Sequence, residues 1–239
     1  MNKIAFWSIT VAVAGFLFGF DTAVISGADK PIQTLWQTSP LMHGMFVMSS
    51  ALWGTVIGAL AGNYPCDKFG RKPTLVLIGI LYLVSAIGSA IAQDPYTFAI
   101  LRFIGGLGVG ISSIVVPAYI SEIAPAKHRG RLVAIYQFQI VFGILIAFLS
   151  NYLIAGTSSF DWRLMLGVEA VPAFIYLLFI LKAPESPRWL VLHGNKAEKA
   201  KEILLDLGEK DAEAIVAAVQ AEAGQHKTDK LFSGTFNFP

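Results

Sequence analysis

The stretch Gly15-Phe16-Leu17-Phe18-Gly19-Phe20-Asp21-Thr22 puts a carboxylate inside an apolar run that extends from residue 4 to residue 28. At about 1.5 Å of rise per residue, a helix over that run crosses a bilayer core of roughly 30 Å. Asp21 lies about seven positions from the end of the helix, roughly 10 Å deep. A carboxylate there costs several kcal/mol, so it is kept where an ion or substrate must pass. The bland alternative is an anchor helix whose acid reaches back to the interface.

Five further apolar stretches follow, at 44–62, 73–93, 96–119, 132–154 and 162–181. The chain has 239 residues, of which 55% are hydrophobic and 14% charged, with a mean hydropathy of +0.61. An ordinary soluble domain is excluded. The pattern predicts an all-α membrane protein with a six-helix transmembrane bundle over 1–183. An intracellular helical segment over 184–224 and an atypical, truncated tail over 225–239 complete the expected division. Pro31 and Pro40 mark the break between the first two spans. Asn195 with Glu198 reads as a capping box opening a helix after the bundle.

The short loops set the expected orientation. With the N-terminus cytoplasmic, the inner loops hold Lys3, Lys68, Arg71, Lys72, Lys127, Arg129 and Arg131, against Lys30 and Arg163 outside. That is the positive-inside distribution. The net charge of +2 reflects this asymmetry and gives no basic face for nucleic acid. Cys66 is the sole cysteine, and the four histidines read as scattered loop residues, so no disulfide or metal site is expected. Nor is there a nucleophile–base set of the kind an enzyme needs.

Two more ionisable residues fall within spans, Arg102 in the fourth and Glu169 in the sixth. Counted from their outer ends, both lie at about the depth of Asp21. An acid beside an arginine is held ionised until the arginine moves, which suits a proton carrier; the same grouping also suits a static ion-pair staple. Arg102 opens Arg102-x-x-x-Gly106-x-Gly108-x-Gly110, whose small residues allow close helix packing. Gln137 and Gln139, in the fifth span, offer the donors and acceptors that sugar hydroxyls or neighbouring helices would use. At the inner ends, Asp67, Arg71 and Lys72 face Glu122 and Arg129, then Glu185 and Arg188, as a charge network that closes when the loops converge.

These motifs resemble the sugar porter family of the major facilitator superfamily, close to its proton-coupled xylose and glucose transporters. The resemblance rests on the stretch from Gly15 to Ala28, the Asp67-Lys68-Phe69-Gly70-Arg71-Lys72 loop, and Arg102 with its glycines. It continues through Pro117-x-Tyr119-x-x-Glu122, Arg129-Gly130-Arg131, Gln137-Phe138 and Pro184-Glu185-Ser186-Pro187-Arg188. It implies the N-terminal half of a fold built from 3+3 inverted repeats. It further implies proton coupling at Asp21, Arg102 and Glu169, and sugar contacts from Phe18, Gln137 and Ile140. The expected substrate is a monosaccharide, with a proton as coupling ion and no other cofactor. The expected setting is the cell membrane, plasma or inner, with lipid around it and a C-terminal six-helix half as partner. A remnant without independent transport and a facilitative uniporter are the alternatives.

Overall fold

The computed structural model describes residues 3–125, 127–193, 196–209 and 211–233, with side chains placed as far as 222. Among the described residues, six spans are long and apolar enough to cross a membrane. The first is α1 (Lys3–Trp36), which runs through Pro31 rather than stopping before it. Pro31 removes one backbone donor near the end of a helix whose packing continues to the buried Ile32, so the helix outlasts the proline. The second span joins α2 (Pro40–Met42), a π-helical turn (His43–Met48) and α3 (Ser50–Ala61). After the short α4 (Asn63–Phe69) come α5 (Arg71–Ile91), α6 (Pro95–Ile123) and α7 (Arg129–Ile154).

The sixth span is two helices, α8 (Asp161–Gly167) and α9 (Ala170–Ile180), broken at Val168 and Glu169. The local sequence explains the break. Pro172 has no N–H to return to the Val168 carbonyl, and its ring crowds that oxygen. Three helices follow the bundle: α10 (Pro187–Leu192), α11 (Ala197–Leu207) and α12 (Ala212–Ser233). They share a small core of Leu190, Ala200, Leu204, Ala212 and Val216. Asn195, the expected cap, lies outside the described residues. α12 runs as one helix through 225 to Ser233, and residues 234–239 also lie outside.

Packing follows an exchange of three-helix halves. α1 packs along α7 as α6 packs along α3, and α5 packs on α6 as the sixth span packs on α1. Swapping spans one to three for four to six reproduces the same pairs, the signature of inverted repeats. Glycines permit both close crossings. A Cβ on Gly19 would stand 1.9 Å from the Ile140 carbonyl, and one on Gly106 would stand 2.0 Å from the Ala51 carbonyl.

Two apolar cores are stacked along the bundle. One holds Leu17, Val109 and Ala173 and extends toward the end with the basic loops. The other holds Phe20, Phe98 and Leu166 toward the opposite end. Arg102 and Glu169 fall between the two cores along their helices, and Asp21, next to Phe20, lies at the near edge of the second, beside that seam.

Candidate functional site

On the seam, Arg102 holds α1 twice. Its Nη1 pairs with the Asp21 carboxylate, and its Nη2 donates to the Asp21 backbone carbonyl at 2.8 Å. Both residues are almost fully buried, at 2% and 1% exposure. An unpaired charge in that setting would cost several kcal/mol, so the clasp is what makes either residue tolerable. Glu169 stands at the break in the sixth span, equally buried, and interacts electrostatically with both Asp21 and Arg102. Ionised, its two carboxylate oxygens have no hydrogen-bond partner among the described residues; protonated, Glu169 has Asp21 as one. The structure thus brings together three ionisable groups from spans one, four and six. Chemically, two carboxylates and one guanidinium in a buried seam can share a proton whose position depends on where the guanidinium points.

Phe18, Gln137 and Ile140 lie on the adjoining α1–α7 pair. Phe18 and Ile140 are half-buried against the first core, while Gln137 is exposed. Thr22, one turn beyond Phe18, is exposed and donates to the Phe18 carbonyl at 2.8 Å. Apolar side chains are uncovered on two helices: Trp53, Val56 and Leu60 on α3, and Phe138, Val141 and Leu145 on α7. In an 18-residue window of the fifth span only 17% is buried, against 67% in such a window of the first.

At the end with the basic loops, Arg71 is the hub. Its Nε and Nη2 donate to Glu122 at 3.0 and 2.9 Å, and its Nη1 donates to Asp67 at 3.3 Å and to the Cys66 carbonyl at 3.1 Å. Glu185 takes the backbone N–H groups of Arg71, Lys72 and Ser186 at 3.0, 3.1 and 2.7 Å. It thereby caps α5, whose own N-cap is Gly70 and supplies no side chain. Burial pushes the Glu185 carboxyl above the usual carboxylate range, against the pull of these donors. Tyr119 donates to the Pro184 carbonyl at 2.8 Å and Trp189 to the Asp67 carbonyl at 2.9 Å, tying the same loops.

The expected network is joined only in part. Lys72 enters through its backbone alone. Arg188 pairs with Glu222 at 3.0 Å instead of with the loop carboxylates. Arg129 has no ion-pair partner among the described residues and lines a cavity of about 250 Å³ with Glu122 and Arg188.

His43 also departs from the loop reading. It is buried, with Nε2 2.7 Å from Asp29 and Nδ1 3.1 Å from Thr38. Sequence reasoning missed Ser85 and Ser89, buried on α5 beside the triad, because serine in an apolar helix gives little signal. It likewise missed Asn151, whose Nδ2 donates to the Val24 carbonyl at 3.0 Å.

The profile of the "Sugar (and other) transporter" family matches residues 7–238. The chain is 42% identical over 221 residues to a glucose transport protein of Synechocystis, covering 88% of this chain and 47% of that protein. It is 37% identical over 236 residues to the D-xylose-proton symporter of Escherichia coli, covering 85% and 48%. Among solved structures, the proton:xylose symporter XylE bound to 6-bromo-6-deoxy-D-glucose superposes with a TM-score of 0.87 at 34% identity. That match covers 95% of this chain and 55% of the solved chain. A partially occluded inward-open conformation of the xylose transporter XylE from Escherichia coli gives 0.85 at 34% identity, over 94% and 60%. The chain spans about half the length of the relatives it matches.

Proposed function

Because this chain belongs to the sugar (and other) transporter family, a family of transporters and not of enzymes, we propose that it is the first half of a monosaccharide–proton symporter. The single observation that carries the reading is the buried Asp21–Arg102 clasp with Glu169 beside it. In this reading Asp21 is the proton-carrying group, and Arg102 and Glu169 decide when it holds its proton. The mechanism is alternating access, with the sugar at the midplane and Phe18, Gln137 and Ile140 among its contacts. The Arg71–Glu122–Glu185 network keeps the basic end closed in one state.

Orientation follows from the loops: the basic end faces the cytoplasm, in a cell membrane. A second six-helix half covers α3 and α7, whose uncovered apolar faces support that need. Without it the chain encloses no sugar and does not transport. A static staple of the same three charges would leave coupling untouched.

The test joins this chain to a compatible second half in vesicles. Substituting Asp21→Asn should preserve sugar exchange at equilibrium and abolish accumulation driven by a pH gradient. Accumulation that survives Asp21→Asn would show that the proton rides elsewhere, with Glu169 next to be examined.

A further inference from the structure

With Glu169 ionised, five buried polar atoms near the triad have no hydrogen-bond partner among the described residues: Ser85 Oγ, Ser89 Oγ, Arg102 Nε, and both carboxylate oxygens of Glu169. Isolated exceptions of this kind are rare in folded chains, and a group of them calls for a shared partner. Helix register gathers them. Along the antiparallel α5–α6 contact, Leu81 lies opposite Gly108, Ser85 opposite Gly105, and Gly88 opposite Leu101. Ser85 and Ser89 therefore bracket the level of Arg102. On its other side α5 meets the sixth span, with Ala90 opposite Gly167 and Gly79 opposite Tyr176. Glu169 falls between those two contacts, against the stretch that carries the serines.

Gly105 lets Ser85 pack directly against α6. A Cβ there would stand 2.3 Å from Ser85 Oγ and 3.6 Å from Asp21 Oδ1. The serine hydroxyl and the carboxylate therefore both lie beside the α5–α6 contact at Gly105. The charged and titratable groups that face it are Asp21 from α1, Arg102 from α6 and Glu169 from the sixth span, with Tyr82 from α5 and Tyr136 from α7 further along.

We propose that Ser85 and Ser89 are positioning residues for the Glu169 proton, their hydroxyls joined to Arg102 Nε and the Glu169 carboxyl through a water enclosed among them. A buried water makes about three hydrogen bonds, and here the protein offers both donors and acceptors for it. The arrangement deepens the symporter reading and rests on it. It gives Glu169 a polar neighbour that persists when Arg102 turns away. No bond other than hydrogen bonds changes.

The experiment uses the full chain in lipid nanodiscs and records infrared difference spectra between acid and neutral pH. Glu169→Gln and Asp21→Asn assign the carbonyl bands of the protonated carboxyls. Ser85→Ala and Ser89→Ala should each move the Glu169 band to higher wavenumber, as a carbonyl does on losing a hydrogen-bond donor. The double variant should also lose the water O–H band that shifts in heavy-oxygen water. Gly105→Ala, which displaces Ser85 without removing it, should move the Glu169 band as well. A Glu169 band unmoved in the serine variants, with unchanged melting temperature, would overturn the proposal and leave the triad reading intact. If neither assignment variant removes a carbonyl band, the proton-carrying role of the triad fails first.

Discussion

The Glu185 carboxylate and the Arg71 backbone N–H, 114 positions apart in the chain, meet at 3.0 Å and fix the start of α5 from outside it. Gly70, the residue before Arg71, has a φ of +103° and leaves room for Glu185 Oε2, which would lie 2.4 Å from any Cβ there. The same carboxylate thus ends one loop and begins the next helix.

Removing that cap has a measurable cost. Glu185→Ala leaves two helix N–H groups unpaired and should destabilise the chain by about 1–2 kcal/mol. Glu185→Gln keeps an acceptor and should cost less. Because burial holds the Glu185 pKa above its unfolded value of 4.5, the folded chain binds the proton more tightly than the unfolded one. Its contribution to stability is therefore full at a pH below 4.5 and declines as pH rises through the folded value. Thermal unfolding across that range, in detergent, should show a decline in wild type that Glu185→Gln removes.

Cys66 reports on the same corner. Its thiol is buried, and burial pushes its pKa up to about 11, so little thiolate exists near neutrality. A maleimide should label the native chain more than about tenfold more slowly than the denatured chain. Glu122→Ala frees Arg71 from its main partner and should raise the native labelling rate. Rapid labelling of wild type would show the corner open.

Glycines at the α1–α7 crossing tolerate nothing larger. A Cβ on Gly143 would stand 2.1 Å from the Phe16 carbonyl, a backbone atom that cannot rotate aside. Gly143→Ala should cost about 1–3 kcal/mol by forcing the helices apart. Gly130, in the same helix, has nothing within 4 Å of its Cβ direction. Gly130→Ala should be neutral or stabilise by up to about 1 kcal/mol. The two melting temperatures should therefore move in opposite directions or only the first should fall.

The orientation can be checked on the intact chain. An impermeant thiol reagent applied outside cells should reach a cysteine placed at Thr157 and miss one placed at Lys127. The reverse pattern would invert the topology drawn from the loop charges.

The sequence exposed the features that lipid makes costly. Six apolar stretches appear as six spans, and the rarity of charge in such stretches pointed to Asp21, Arg102 and Glu169. What it hid were relations between distant segments and side chains whose meaning is positional. Pro31 is compatible with a helix end or a helix interior, and only packing around Ile32 selects the interior. His43 looks like any loop histidine until Asp29 and Thr38 fold against it. Arg188 faces Glu222 because α12 returns across α10, which no local pattern announces. The break at Glu169 was the most legible of the missed features, since Pro172 stands three residues beyond it.

Arg102 grips α1 by two bonds of different kinds, one to a carboxylate that a proton can neutralise and one to a backbone carbonyl that no proton reaches at ordinary pH. Neutralising Asp21 therefore weakens the grip without releasing it. In the proposed symporter, the fourth span would keep its handhold on the first while the charge between them comes and goes. In that symporter, a half-bundle held in this way would stay one body through the proton cycle, and its rocking would be against the second half.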